Sequence, residues 1–281
     1  MIMQPALSCD QQADPSRVRL FGVVMDALRM PAAVSRIQAW VARPGARCRY
    51  VVTPNVDHTV LLRDNVRLQA AYQDADLVLA DGWPVVVASR LVGRALPERV
   101  AGSDLVPRLF AAAHDELRVF LLGAAPGVAQ RAAENIHRKW DQVSVVGTYS
   151  PPLGFENDQQ ENQRILQRIS QAGPDVLVIG LGAPKQELWV HTHRERIEAK
   201  AALCVGATID FLAGERKRAP VIFQRLGLEW LHRMLSDPRR LVKRYARDAY
   251  IFPQLVWQEW QSVRSQRVSA ASDQADYTGH P

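Results

Sequence analysis

The sequence has few cysteines and no long apolar run, and both absences limit what the protein can be. Its three cysteines, Cys9, Cys48 and Cys204, are far apart and lack the spacing of metal ligands. So odd and sparse a set argues for a reducing compartment and against disulfides or structural zinc. No apolar stretch approaches the ~18 residues of a membrane-spanning helix, and the N-terminus lacks the pattern of a secretory signal. We therefore expect a cytoplasmic protein.

Acidic residues are scarce in one C-terminal segment, although the whole chain has a net charge of only +6. Residues 216–247 include ten Lys or Arg but only two acids, Glu229 and Asp237, which leaves a local charge of +8. A basic block of this kind implies an anionic partner, such as phosphate, nucleic acid or a membrane face. No recognised nucleic-acid-binding motif accompanies the charge, so we do not expect nucleic acid as a partner.

What the sequence does contain is an alternation of apolar strands with helices. The predicted strands are Val18–Met25, Tyr50–Val52, Leu77–Ala80, Arg118–Leu122, Val143–Val146, Asp175–Ile179 and Ala202–Val205. Near-continuous apolar strands separated by helices are typical of a parallel sheet covered on both faces. We therefore predict a Rossmann-like α/β fold, in which one helix contains Val60 and Tyr72 and another is capped by Ser103 and extends to about Glu116.

The composition divides the chain into four parts. Residues 1–16 form a polar tail, residues 17–225 the α/β catalytic domain, residues 226–262 a basic helical appendage, and residues 263–281 a second polar tail. We expect both tails to be disordered, as polar termini commonly are.

Two of the predicted strands end in polar residues. Tyr50–Val52 is followed by Thr53 and Asn55, and Leu77–Ala80 is followed by Asp81 and Gly82. Ligands of open parallel sheets bind beyond the carboxyl ends of the strands. If the two strands are neighbours, a hydroxyl, an amide and a carboxylate meet beside a crevice. We take Thr53, Asn55 and Asp81 as the predicted reaction centre; the alternative is that Asp81-Gly82 forms only a turn.

Two glycine-rich turns connect a strand to a helix, at Gly123–Gly127 and Gly180–Pro184. Backbone N–H groups at such a helix N-terminus favour a phosphate. Neither turn fits the dinucleotide fingerprint or a P-loop. Glycine would also be needed simply for a tight turn, but two such turns in one sheet favour a bound nucleotide diphosphate. The residues predicted to contact it are Gly123, Gly180, Gly182 and Pro184.

The motif Pro184-Lys185-Gln186-Glu187 is only partly explained as a helix start. Pro184 and Glu187 suit the first helical turn. Lys185 and Gln186 are not required there, and we expect them to point a cation and an amide toward the edge that holds Asp81. All four are predicted substrate-binding residues.

A possible metal motif occurs at Asp74-Ala75-Asp76, because paired carboxylates of this spacing can bind a divalent cation. It precedes a strand, however, and therefore lies at the amino edge of the sheet, away from the predicted reaction centre. A solvated turn is the preferred interpretation, and no metal site is predicted.

The motifs together resemble one family. Over about Val18 to Tyr245, the sequence resembles the successive blocks of the WecG/TagA/CpsF glycosyltransferases; these blocks include TPNVDHTVLLRD, ADLVLADGWPVV, VLVIGLGAPKQELW and GLEWLHRMLSDPRRLVKRY. The resemblance implies an α/β sheet with a C-terminal appendage. It also implies inverting, metal-independent and cofactor-free transfer from a UDP-sugar to a polyprenyl-diphosphate-linked acceptor, in the synthesis of bacterial cell-surface polysaccharide or exopolysaccharide. N-acetylmannosamine, its uronic acid and glucose all remain open as donor sugars.

The resemblance also assigns roles to residues. It places the family's catalytic aspartate at Asp81 and its active-site threonine at Thr53. The implied appendage cations are Arg233, Arg240, Lys243 and Arg244. Asp81 would then be the general base, Thr53 and Asn55 would position the substrate, and Gln186 would be a polar contact in the donor pocket. Arg233 and Arg240 would bind the diphosphate in place of a metal.

A nucleotide-binding oxidoreductase is the alternative function for this fold. An oxidoreductase of doubly wound fold would need a third glycine and an acid ~20 residues further on. Asp141 stands near that distance from Gly123, but the glycine pattern is wrong.

Aromatic and basic residues of the appendage predict peripheral binding to the anionic inner face of the cytoplasmic membrane. The appendage could instead dock on the α/β core. Homo-oligomerisation is left open.

Overall fold

Parallel strands form the central sheet of the protein. A computed structural model describes residues 17–43, 47–216, 223 and 238–277. The strands, in chain order, are β1 Arg17–Leu20, β2 Val23–Asp26, β3 Arg49–Val52, β4 Leu77–Val78, β5 Leu117–Gly123, β6 Val143–Tyr149, β7 Val176–Gly180 and β8 Ala201–Cys204. The strands β3 to β8 form one parallel sheet in the order β4-β3-β8-β7-β5-β6. The strands β1 and β2 form a separate antiparallel hairpin.

Helices cover both faces of this sheet. They are α1 Met30–Ala42, α2 Val56–Asp64, α3 Val66–Gln73, α4 Trp83–Leu91, α5 Gly102–Ala111, α6 Val128–Lys139, α7 Gln159–Ala172, α8 Lys185–His193, α9 Thr208–Leu212 and α10 Pro238–Tyr277, with a short 3-10 turn at Phe155–Asn157. One hydrophobic core joins the sheet to α2, α3, α4, α7 and α8, and a second joins it to α1, α5, α6 and α9.

Strand β3 shows how the sequence produces two cores. Tyr50 and Val52 belong to the first core and Val51 to the second, and all three side chains are fully buried. Side chains alternate between the faces of a strand, so a strand covered on both faces must be apolar throughout. The parallel sheet with helices on both faces confirms the predicted α/β fold.

Three local predictions are wrong. The single strand expected over Val18–Met25 is the β1–β2 hairpin, with its turn at Phe21-Gly22. The helix expected to contain both Val60 and Tyr72 is divided into α2 and α3, because the Asn65 side chain accepts the N–H of Leu68 and starts a new helix.

The third wrong prediction concerns Ser103, which lies inside α5 and does not cap it. The carbonyl of Ala101 already accepts N–H groups from Asp104 and Leu105, at 3.0 and 2.8 Å, so the helix starts earlier than predicted. It also ends earlier, at Ala111, and does not reach Glu116.

The C-terminal helix α10 is longer than the predicted appendage. It continues through residues 263–277, for which a disordered tail is predicted, and ends at Tyr277. This stretch is rich in Ala, Gln and Arg, which have high helix propensity. The polar tail over 1–16 and residues 226–237 of the appendage lie outside the described residues. Among the helices that the structure describes, none is both long enough and apolar enough to span a bilayer.

Candidate active site

Neighbouring strands bring Thr53, Asn55 and Asp81 to one edge of the sheet. The register of β3 and β4 pairs Val52 with Val78. Beyond the strands the two chains stay together, because the backbone N–H of Asp81 donates to the carbonyl of Pro54 at 2.8 Å. The ends of these two strands are therefore adjacent at the carboxyl edge, as predicted. Their chemical roles stay predictions.

Thr53 and Asn55 also hold the framework of this edge. The Thr53 side chain is buried, and its hydroxyl donates to the carbonyl of Cys204 at 3.1 Å, which joins the end of β3 to the end of β8. The Asn55 side chain accepts the N–H of His58 at 3.3 Å and caps α2. Such a cap satisfies an otherwise unpaired backbone donor at the helix start. Both side chains therefore have fixed positions beside Asp81.

Arg99 is a functional candidate that the sequence motifs did not identify. Its Nη1 lies 3.8 Å from Oδ1 of Asp81, and its Nη2 donates to Oδ2 of Asp104 at 2.8 Å. The loop that holds Arg99 is fastened to the strand end, because Val100 N–H donates to the Ala80 carbonyl at 2.9 Å. A cation at this position attracts the Asp81 carboxylate. Its only signal in the sequence is the stretch LPERVAG, residues 96–102, which does not directly follow a predicted strand.

The two glycine-rich turns lie side by side at the same edge. A Cβ on Gly123 would stand 2.5 Å from the carbonyl oxygen of Gly180, and a Cβ on Gly180 would stand 2.8 Å from that of Gly206. The N–H of Ala124 donates to the Gly180 carbonyl at 3.1 Å. Close approach of backbones is thus sufficient to require glycine at both positions. Contacts of Gly123, Gly180 and Gly182 with a diphosphate stay predictions.

Lys185 lies at the carboxyl edge and pairs with an acid there. Pro184 immediately precedes α8, and the Lys185 ammonium pairs with Glu156 Oε1 at 2.6 Å, in the 3-10 turn after β6. The hydrogen bond from Lys185 lowers the pKa of Glu156. The turn that holds Glu156 follows β6 and so lies at the same carboxyl edge as Asp81. Contact of Lys185 with a substrate stays a prediction.

Gln186 and Glu187 are buried beneath the edge. The Gln186 amide donates to Glu187 Oε1 at 2.7 Å, and its oxygen accepts the N–H of Gly206 at 3.3 Å. Glu187 Oε2 has no hydrogen-bond partner among the described residues. Burial raises the pKa of Tyr72 and of Cys204, and the nearby Glu187 carboxylate adds to both shifts. These residues fix the loop after β8, and their contact with a substrate stays a prediction.

The appendage cations are described only in part. Arg233 lies outside the described residues, and only the backbone of Arg240 is described, in α10. Lys243 is exposed. Arg244 is partly exposed, and its Nη1 lies 3.5 Å from Oδ2 of Asp57, in the first turn of α2. Asp57 follows Asn55 by two residues, so Arg244 lies beside the candidate site.

The motif Asp74-Ala75-Asp76 lies at the opposite, amino edge, as predicted. Asp76 Oδ2 accepts the N–H of Tyr50 at 3.0 Å, and Asp74 pairs with His191 at 2.9 Å. A solvated turn describes Asp74, whose side chain is 58% exposed. It does not describe Asp76, whose side chain is 15% exposed and lies within 4 Å of Arg47 and Arg194. Asp76 therefore has a structural role, as the acceptor of a backbone hydrogen bond at the start of β3.

Asp141, which the oxidoreductase alternative would use, also lies away from the carboxyl edge. It is exposed in the turn before β6, at the amino end of that strand. An acid that binds ribose in a doubly wound fold follows a strand and does not precede it. The position of Asp141 therefore excludes it from this role.

Comparison with known proteins identifies relatives along nearly the whole chain. The glycosyl transferase WecG/TagA/CpsF family matches residues 18–266. An N-acetylglucosaminyldiphosphoundecaprenol N-acetyl-β-D-mannosaminyltransferase of Staphylococcus aureus strain MRSA252 is 29% identical over 236 residues, which is 84% of this chain and 91% of the relative. The protein of the same name from strain MW2 is 28% identical over the same shares. The matched region includes the edge that holds Asp81 and most of α10.

Proposed function

This chain belongs to the WecG/TagA/CpsF family of glycosyltransferases, and from that premise we propose that it transfers a sugar from a UDP-sugar to a polyprenyl-diphosphate-linked saccharide. The observation that supports this reaction is the meeting of Thr53, Asn55 and Asp81 beside Arg99 at the carboxyl edge. The named relatives are mannosaminyltransferases that act on N-acetylglucosaminyldiphosphoundecaprenol. UDP-N-acetylmannosamine and that acceptor are therefore the first pair to test, before the uronic acid and glucose donors.

Asp81 is the general base in this proposal. Its side chain is 28% exposed, which leaves it accessible to a substrate. It removes the proton from the attacking hydroxyl of the acceptor saccharide, while that oxygen bonds to the sugar anomeric carbon and the bond from that carbon to UDP breaks. Attack opposite to the leaving UDP inverts the anomeric configuration. Thr53 and Asn55 position the substrates, and Gln186 contacts the donor.

The leaving UDP gains negative charge as its bond breaks, and the proposal assigns this charge to cationic side chains. Arg233, Arg240, Lys243 and Arg244 supply charge-assisted hydrogen bonds of the kind that stabilise phosphate oxygens. Backbone N–H groups of the two glycine-rich turns would add to this binding. With these cations in place, the transfer needs neither a metal nor a cofactor.

One face of α10 supports the proposed contact with an anionic membrane. Lys243, Tyr250, Trp257 and Arg264 recur at seven-residue intervals and are all exposed, with Tyr250 at 73% and Trp257 at 58%. Residues seven apart lie on the same side of a helix. Aromatic and basic side chains together favour the interface of an anionic bilayer. The lipid-linked acceptor would then be presented at the inner face of the cytoplasmic membrane, during cell-surface polysaccharide synthesis.

The opposite face of α10 docks on the α/β core. Leu241 and Val263 are buried, and Phe252 and Leu255 pack against the first hydrophobic core. The predicted alternative, that the appendage docks on the core, is therefore confirmed for this face. Docking by one face leaves the aromatic and basic face for the membrane.

The test is a transfer assay with purified protein, candidate UDP-sugars and a lipid-linked N-acetylglucosamine diphosphate, with UDP release as the measurement. We expect release that depends on the acceptor and on one of the candidate donors. Sedimentation with vesicles tests the membrane contact, and we expect binding to anionic vesicles that weakens as salt rises. Absence of transfer from every UDP-sugar would overturn the proposed reaction, and equal binding to neutral vesicles would overturn the electrostatic contact.

A further inference from the structure

A cluster of charged side chains attaches α10 to the first turn of α2. Asp57 Oδ1 accepts Nη2 of Arg247 at 2.6 Å, and Asp57 Oδ2 lies 3.5 Å from Arg244. The same Nη2 of Arg247 lies 3.1 Å from Oδ1 of Asp248. We call Asp57, Arg244, Arg247 and Asp248 the Asp57 clamp.

The Asp57 clamp differs from an ordinary surface ion pair because its acids are largely buried. The Asp57 side chain is 13% exposed and the Asp248 side chain 5% exposed, whereas Arg247 is 41% exposed. Asp248 Oδ2 has no hydrogen-bond partner among the described residues. Two carboxylates held in so little water depend on a shared cation. Arg247 is the cation closest to both.

The Asp57 clamp is directly connected to the candidate active site. Asp57 follows Asn55 by two residues in the same helical start, and Asn55 caps that helix. A Cβ on Gly82 would be 3.7 Å from the Cβ of Asn55, so the turn after Asp81 lies against this cap. A change in how α10 meets Asp57 therefore changes where α10 lies relative to Asp81.

A second attachment lies further along α10. Glu259 accepts the N–H of Phe21 at 3.1 Å and pairs with Arg94 at 3.0 Å. Beside it is a cavity of about 380 Å³, lined by Thr59 and Leu62 of α2 and by Leu255 and Gln258 of α10. The charged attachments therefore add to the apolar packing of Phe252 and Leu255 on the first core in holding α10 on the domain.

We propose that Asp57 is a positioning residue that, through Arg247, holds the start of α10 over the sheet edge, so that the lipid-linked acceptor meets Asp81 and the appendage cations reach the diphosphate of UDP. This inference rests on the proposed function and assigns a division of tasks within it. Arg247 anchors the helix, since it lies 2.6 Å from Asp57, whereas Arg244 lies 3.5 Å from it and is assigned to the substrate. The exposed aromatic side chains Tyr250 and Trp257 contact the membrane in which the acceptor is held.

The kinetic test is a double-mutant cycle of Asp57→Asn and Arg247→Gln in the full-length protein. We expect each single change to raise the KM for the lipid-linked acceptor about 10-fold, and the double variant to show about 10-fold rather than about 100-fold, because coupled residues are not additive. Arg247→Lys, which keeps the charge, should recover part of the loss. Loss of folded protein would lower only the apparent kcat, and would not raise this KM.

Asp64→Asn is the matched control. Asp64 is in the same helix α2, undergoes the same chemical change and is also paired with an arginine, Arg63, at 2.6 Å. That pair is exposed, and among the described residues its two side chains are bonded to each other and not to α10. We expect its acceptor KM to remain within about 2-fold of the wild-type value, as for an exposed surface pair. Additive single effects, or an equal effect of Asp64→Asn, would overturn the proposal.

Hydrogen exchange provides a measurement that does not depend on transfer. Amides of residues 241–263 should exchange about 10-fold faster in Asp57→Asn and Arg247→Gln, because the helix is released locally, and at the wild-type rate in Asp64→Asn. If the wild-type protein transfers no sugar, the proposed function fails while the exchange result still tests the clamp. Unchanged exchange in both clamp variants, or faster exchange with an unchanged acceptor KM, would overturn the positioning role.

Discussion

The two edges of the central sheet both contain acids and arginines, but the acids are used differently. At the amino edge, Asp76 accepts the N–H of Tyr50, and Asp175 accepts that of Arg118, each at 3.0 Å. Both acids also pair with cations, and their side chains are 15% and 14% exposed. At the carboxyl edge, Asp81 is 28% exposed and its distance to Arg99 is 3.8 Å. Acids that accept backbone N–H groups hold strands together, whereas a more exposed acid can reach a substrate.

The largest expected effect is at the carboxyl edge. Asp81→Asn keeps the shape of the side chain and removes the base, so we expect turnover to fall about 10²–10⁴-fold. Binding of UDP should persist, because the proposed function assigns the diphosphate contacts to other residues. Acceptor-dependent UDP release measures the turnover, and calorimetry measures UDP binding. Turnover at the wild-type level in a folded variant would remove Asp81 from its role.

The matching change at the amino edge should affect stability. Asp76→Asn leaves the N–H of Tyr50 with a weaker acceptor and weakens the pairing with Arg47 and Arg194. We expect the free energy of unfolding to fall by about 1–3 kcal/mol, measured by denaturant titration. Turnover per folded molecule should stay close to the wild-type value. A large loss of turnover without a loss of stability would erase the distinction between the two edges.

Asp248 provides a third case, an acid that burial disfavours. Burial raises the pKa of Asp248, the Asp57 carboxylate raises it further, and Arg247 and Arg244 act in the opposite direction. A raised pKa means that the folded state is most favoured below the ordinary value of 3.8 and loses stability as pH rises through the folded value. Asp248→Asn should therefore raise the Tm at pH 7 by about 2–4 °C. The difference should shrink toward pH 3.8 in thermal melts, and a lower Tm at pH 7 would contradict the expectation.

The smallest expected effect is that of a chelator. We expect EDTA to leave acceptor-dependent UDP release unchanged, because cationic side chains rather than a metal stabilise the leaving UDP in the proposed reaction. The control is the same assay with added Mg²⁺ or Mn²⁺. Loss of activity in EDTA and its recovery with either ion would require a metal site. Asp74 and Asp76 would then be its candidate ligands, in contrast to the structural role of acids at the amino edge.

The sequence was sufficient for the main elements of the fold and for the composition of the carboxyl edge. Buried parallel strands must be apolar, and polar residues at their ends are visible in the chain, as Thr53 and Asp81 show. Arg99 could not be placed, because its position depends on the bond from Val100 to Ala80. The direction of Lys185 depends on Glu156, which is 29 residues away in the chain and adjacent only after folding. Pairing between distant loops is therefore what the sequence pattern did not reveal.

The contact between the backbones of Gly123, Gly180 and Gly206 has a consequence for how this enzyme can be altered. Main-chain atoms meet at that point of the carboxyl edge, so the spacing of these strand ends does not depend on the choice of exposed side chains. Substitution at Gly123 or Gly180 would force the strand ends apart. Engineering of donor preference should therefore vary the loops around this contact, where a new side chain can be added without moving the sheet.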